Sequence, residues 1–86
     1  MPTLRNLQIR AAIATLLDQT DGWLYPETRL LADLNAVRLV SPPVTLAEFE
    51  EVIRKMEITR QILRYRSEDY GVKTKLTDEG KADLLS

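Results

Sequence analysis

Gln61 to Gly80 reads QILRYRSEDYGVKTKLTDEG, and the way this stretch pairs decides the fold. Two β-rich runs flank a polar turn, and the second runs into a Thr-Asp-Glu helix start. Pairing Arg66 with Gly71 across a four-residue loop, Ser67 to Tyr70, sorts the side chains by chemistry. Leu63, Tyr65, Val72, Thr74 and Leu76 then share one face, and Arg64, Arg66, Lys73 and Lys75 share the other. Side chains alternate along a strand, so a one-residue change in the loop moves arginines onto the apolar face. Four cations on one outward face point to a phosphate backbone as ligand. The rival reading is an edge strand whose charges prevent aggregation.

Upstream of the hairpin, Thr45 and Glu48 have the spacing of a capping box. They open a helix over 45–58, with Phe49, Val52, Ile53 and Met56 on its buried side. Ser41-Pro42-Pro43 breaks the chain before it. A helix over 26–36 starts at Pro26, whose missing N–H suits a first helical position, and buries Leu30, Leu31 and Leu34. Trp23-Leu24-Tyr25 reads as a strand stub, 23–25, with Trp23 and Tyr25 as core aromatics. The first helix, 3–19, carries Leu4, Leu7, Ala11, Ala14 and Leu17 at helical spacing, a stripe widened by Ile9, Ile13 and Leu16. Arg5 and Arg10 read as solvated. Thr77 caps a last short helix, 78–85, which Gly80 weakens.

These elements form one domain over residues 1–86, with an α+β, mainly α architecture. The order is helix, strand stub, helix, helix, hairpin, helix. It resembles the winged helix-turn-helix family of small bacterial and phage DNA-binding regulators: a three-helix core, a two-stranded wing and a short last helix. The likeness rests on TLAEFEEVIRKM at 45–56, on the hairpin and on LTDEG at 76–80, similar to the Leu-Thr-x-x-Gly that closes the wing in such regulators. It implies that the third helix enters the major groove and the wing touches the backbone or the minor groove. Arg54 and Lys55 on the helix, with Arg64, Arg66, Lys73 and Lys75 on the wing, are then the nucleic-acid-binding residues. A homodimer on double-stranded DNA is the expected assembly.

Composition restrains this expectation. The chain has 86 residues, 44% of them hydrophobic, with 12 basic and 13 acidic residues and a formal charge of −1. From Arg54 to Lys75, seven basic residues stand against three acidic ones, so any anion site is local. Glu48, Glu50 and Glu51 open the third helix, where a carboxylate is repelled by phosphate. The alternative is therefore a protein-interaction module on the same scaffold, with Glu48, Glu50, Glu51 and the hairpin-tip Tyr70 meeting a basic partner.

Cysteine and histidine are both absent. That removes thiolate chemistry, the usual metal ligands and the usual general base. No Gly-rich phosphate loop or calcium-loop spacing occurs. The expectation is a non-enzymatic protein with no cofactor and no metal. No apolar run is long enough for a membrane span, and a cytoplasmic location follows as the default.

Overall fold

The computed structural model describes residues 3–20, 23–69 and 71–85. Its elements are α1 (Leu4–Gln19), β1 (Tyr25–Pro26), α2 (Glu27–Ala36), α3 (Leu46–Ile58), β2 (Ile62–Ser67), β3 (Gly71–Leu76) and α4 (Asp78–Leu85). It is an α+β domain of four helices and a three-stranded antiparallel sheet in the order β1-β3-β2. Among the described residues, no helix is long and apolar enough to cross a membrane.

The core is built where the helices and the sheet converge. Ile9, Ile13 and Leu17 of α1 meet Leu30 and Leu34 of α2 there. Phe49, Ile53 and Met56 of α3 and Ile62 of β2 complete it. Leu4 and Leu7 belong to the expected stripe of α1 but stay exposed. The buried arc of that helix is centred on Ile9, Ile13 and Leu16, roughly 150° round the helix from them.

Helix ends are set locally. Thr3 caps α1, its Oγ1 accepting from the Asn6 N–H at 3.1 Å. Thr45 caps α3 with a complete capping box: its Oγ1 accepts from Glu48 N, and its own N–H donates to Glu48 Oε1. The last turn of α3 closes through the Gln61 N–H on the Met56 carbonyl at 2.9 Å, with Arg60 left-handed at φ 61°. The connection from α2 to α3 is held at both ends. The Asn35 side-chain amide makes two hydrogen bonds to the Val44 backbone, each 2.9 Å. Arg5, expected on a solvated face, donates instead to the carbonyls of Pro42 and Pro43 and to Glu48.

Three readings of the middle of the chain change. β1 is Tyr25–Pro26, and Pro26 caps α2 from the strand rather than opening the helix. An edge strand tolerates a residue without an N–H. Tyr25 packs against the core, with its hydroxyl donating to Asp33, whereas Trp23 is 78% exposed. Trp23 lies outside the paired residues of β1, where no described element covers it.

The hairpin differs most. Ser67 pairs with Gly71, Arg66 with Val72, Tyr65 with Lys73, Arg64 with Thr74 and Leu63 with Lys75. The loop therefore spans 68–70, one residue shorter than the four-residue expectation. Gly71, at φ 70°, supplies the left-handed residue that commonly closes a three-residue hairpin loop. The Ser67 hydroxyl accepts from Asp69 N at 3.2 Å within it. Tyr70 lies outside the described residues. Shortening the loop by one moves the whole of β2 to the opposite face relative to β3. Leu63, Tyr65, Lys73 and Lys75 share the outward face. Ile62, Arg64 and Arg66 share the inward one with Val72, Thr74 and Leu76.

Candidate functional site

The changed register turns Arg64 inward, and α2 and α3 supply its partners. Glu27, in the first turn of α2, receives Arg64 as a fork: Nε to Oε2 at 2.6 Å and Nη2 to Oε1 at 2.8 Å. Thr74, fully buried in β3, donates its hydroxyl to the same carboxylate at 2.9 Å. The third nitrogen of Arg64, Nη1, reaches Glu57 Oε1 at 3.3 Å near the end of α3. Arg66 meets Glu57 from the rim, also at 3.3 Å. The Arg64 and Glu27 side chains are only 15% and 14% exposed. The Glu27 hydrogen bond raises the Arg64 pKa against the opposing effect of burial. Burial pushes the Glu57 carboxyl up, and its bonds from Arg66 and Arg64 more than offset that, leaving it below the usual range.

Two carboxylates and two guanidiniums make this cluster formally neutral, so it is a joint between α2, α3 and the sheet. Its role in placing α3 against the hairpin was invisible in strand alternation. Glu27 stands 37 residues from Arg64, and only the tertiary fold joins them.

The remaining cations scatter. Lys55 is paired with Glu51 one turn earlier on α3 at 3.0 Å. Arg54 is exposed on the outward side of α3. Lys73 and Lys75 lie half-buried on the outward sheet face, among Leu63 and Tyr65. The expected face of Arg64, Arg66, Lys73 and Lys75 therefore does not form.

Comparison with protein-family models, with curated proteins and with solved structures gives no match.

The glutamates of α3 also divide. Glu48 is consumed by structure. Arg5 reaches both its oxygens, at 2.7 and 3.1 Å, and the carboxylate closes the capping box. The Arg5 hydrogen bond, with that of the Thr45 backbone, holds its carboxyl at about 2 against the usual 4.5. Because the folded pKa is the lower one, this stabilisation is present above pH 4.5 and is lost as pH falls towards 2. Glu48→Gln keeps a cap-forming amide but removes the titration. Its unfolding free energy is expected to fall less steeply than that of the wild type between pH 5 and pH 2, as read by urea unfolding at each pH. Parallel slopes would dismiss the Arg5–Glu48 pair as a source of acid sensitivity.

Glu50 and Glu51 are exposed. With them, Leu46 is 61% and Ile58 71% exposed at the two ends of the outward side of α3. Beside Leu46 lies a mostly apolar cleft between the starts of α2 and α3, lined by Leu31, Leu46 and Phe49 and rimmed by Glu27, Thr28 and Glu50. Apolar anchors beside the exposed Glu50 fit a basic, amphipathic segment, Glu27 being already held by Arg64. The sequence signal for this surface was Leu46 and Ile58, apolar residues on the otherwise polar side of α3. Among the described residues, no cluster of acidic side chains is placed to hold a metal ion.

Proposed function

We propose that this chain is a winged helix-turn-helix domain that works as a protein-interaction module, docking a basic amphipathic segment on the outward side of α3. The fold reading is supported by the element order and by the short β1 that joins the hairpin along β3. The observation that carries the functional reading is Arg64, withdrawn from solvent and neutralised by Glu27 and Glu57. A phosphate backbone requires several cations on one surface, and this removes the central one. What α3 presents instead is Glu50, and Glu51 in its exposed pair with Lys55, between Leu46 and Ile58.

Two labelled probes test the reading by fluorescence anisotropy. One is a mixed-sequence DNA duplex at ~50 mM salt; the other is a synthetic helix with a leucine face and a lysine face. The peptide is expected to bind the wild type and to lose about tenfold in affinity in Glu50→Lys/Glu51→Lys. The duplex is expected to show no salt-sensitive binding. Duplex binding with a log–log salt slope near −4, abolished by Lys73→Glu/Lys75→Glu, would restore the DNA-regulator reading.

A further inference from the structure

The outward face of the sheet is a second surface that no described element covers, although Lys75 at its edge borders a cleft with Asp18 of α1 and Asp78 of α4. Across its three strands, Pro26, Lys73 and Tyr65 form one row, and Lys75 and Leu63 form the next. Leu63 is 44% and Tyr65 48% exposed. The helices pack on the sheet's other side, where Ile62 and Thr74 are sealed. This outer face is apolar and cationic, and the loop beyond it carries exposed Glu68 and Asp69.

We infer that the partner of α3 is a second copy of this chain, whose outer sheet face docks on the outward side of the helix. The inference rests on the protein-binding reading of α3 and names its partner. Charge complementarity carries it. Along α3 the order is Glu50 and Glu51, then Arg54. Along the sheet it is Lys75 and Lys73, then the tip acids Glu68 and Asp69. Laid side by side in that order, with α3 running opposite to the chain direction of β3, the glutamates of one copy meet the lysines of the other and Arg54 meets the tip. The exposed Tyr65 ring gives Arg54 a flat face on which to stack. Leu46 and Ile58 bring apolar area from the helix, and Leu63 and Tyr65 match it from the sheet. A formal charge of −1 leaves little long-range repulsion between copies. The two surfaces differ, so the contact joins unlike patches, and each copy offers one of each.

Charge reversal of either surface is the test, read by sedimentation equilibrium of the full chain. The wild type is expected to associate at ~100 µM in low salt and to dissociate as ionic strength rises. Glu50→Lys/Glu51→Lys makes both surfaces basic, and Lys73→Glu/Lys75→Glu makes both acidic, so each variant alone is expected to be monomeric. Mixed in equal amounts they are expected to associate again, because every contact in the mixture joins opposite charges. Thermal melts establish that each variant is folded. If the lysine variant is not, Tyr65→Glu/Lys75→Glu, whose sheet face is also net acidic, replaces it in the same mixing experiment. A monomeric wild type, a mixture that stays monomeric, or association untouched by both reversals would overturn self-docking. Should the leucine–lysine peptide still bind α3 in that event, the protein-binding reading stands and only the identity of the partner falls.

Discussion

Gly80→Ala is expected to destabilise the domain by about 2 kcal/mol or more, lowering Tm by roughly 10 °C in thermal unfolding followed by circular dichroism. Helix propensity alone predicts the opposite sign, since alanine is favoured over glycine in a helix by about 1 kcal/mol. Packing decides it. A Cβ on Gly80 falls 2.0 Å from the Gln61 carbonyl oxygen, 2.8 Å from its carbon and 3.0 Å from its Cα. These are backbone atoms and cannot swing aside. The same carbonyl is pinned by the Thr77 N–H at 3.1 Å and approached by the Thr77 hydroxyl at 3.0 Å, while Thr77 Oγ1 also accepts from the Gly80 N–H. Thr77 and Gly80 thus lock the start of α4 onto the junction between α3 and β2. To admit a methyl group, α4 must lift, taking with it Leu84, which packs against the core, and its contact with α1. A Tm unchanged or raised by the substitution would show that α4 does not rest on Gln61.

What could be read from the residues and what could not divides along the range of the interaction. The capping box at Thr45 and Glu48, the buried set Phe49, Val52, Ile53 and Met56, and the Thr77 cap are all settled within a few residues. The helix bounds follow from them: α3 ends at Ile58 and α4 starts at Asp78, as the spacing indicates. Gly80 was misjudged because its cost in a helix is local, whereas its use is a contact with Gln61 nineteen residues away in sequence. The hairpin failed for a different reason. A period of two carries no protection against a slip of one, so the tidy separation of apolar from basic residues was a property of an assumed loop length. Gly71 was the available signal, since a glycine closing a three-residue loop fixes the register. The candidate site inherited the error. Arg64 looked like a wing cation because its partners, Glu27 and Glu57, lie on two other elements. Arg5 looked solvated because its acceptors lie beyond α2. Ion pairing across elements cannot be seen in a pattern of charges along the chain, and it is what separates a phosphate-binding patch from a structural joint.

Arg64→Ala carries that distinction into a measurement, and its expected cost is about 3 kcal/mol, enough to lower Tm by more than about 10 °C. Both oxygens of Glu27 accept from the guanidinium, and the carboxylate is 14% exposed. Truncating Arg64 leaves that carboxylate with the Thr74 hydroxyl and little water, which is the costly way to break a buried pair. Removing both charges together, as Arg64→Met/Glu27→Met, is expected to cost markedly less than the sum of the single changes, because no orphaned charge remains. Lys75→Ala on the outward face is expected to stay within about 0.5 kcal/mol of the wild type. The ranking follows from the register. Had Arg64 pointed to solvent beside Lys73 and Lys75, its loss would have cost no more than theirs and would have mattered only to a ligand. Urea unfolding of these three variants, with Arg64→Met and Glu27→Met as the single changes, therefore decides which way β2 faces. An Arg64→Ala protein as stable as the wild type would return the arginine to the surface, restore the four-cation face, and favour a phosphate backbone over a protein as the partner.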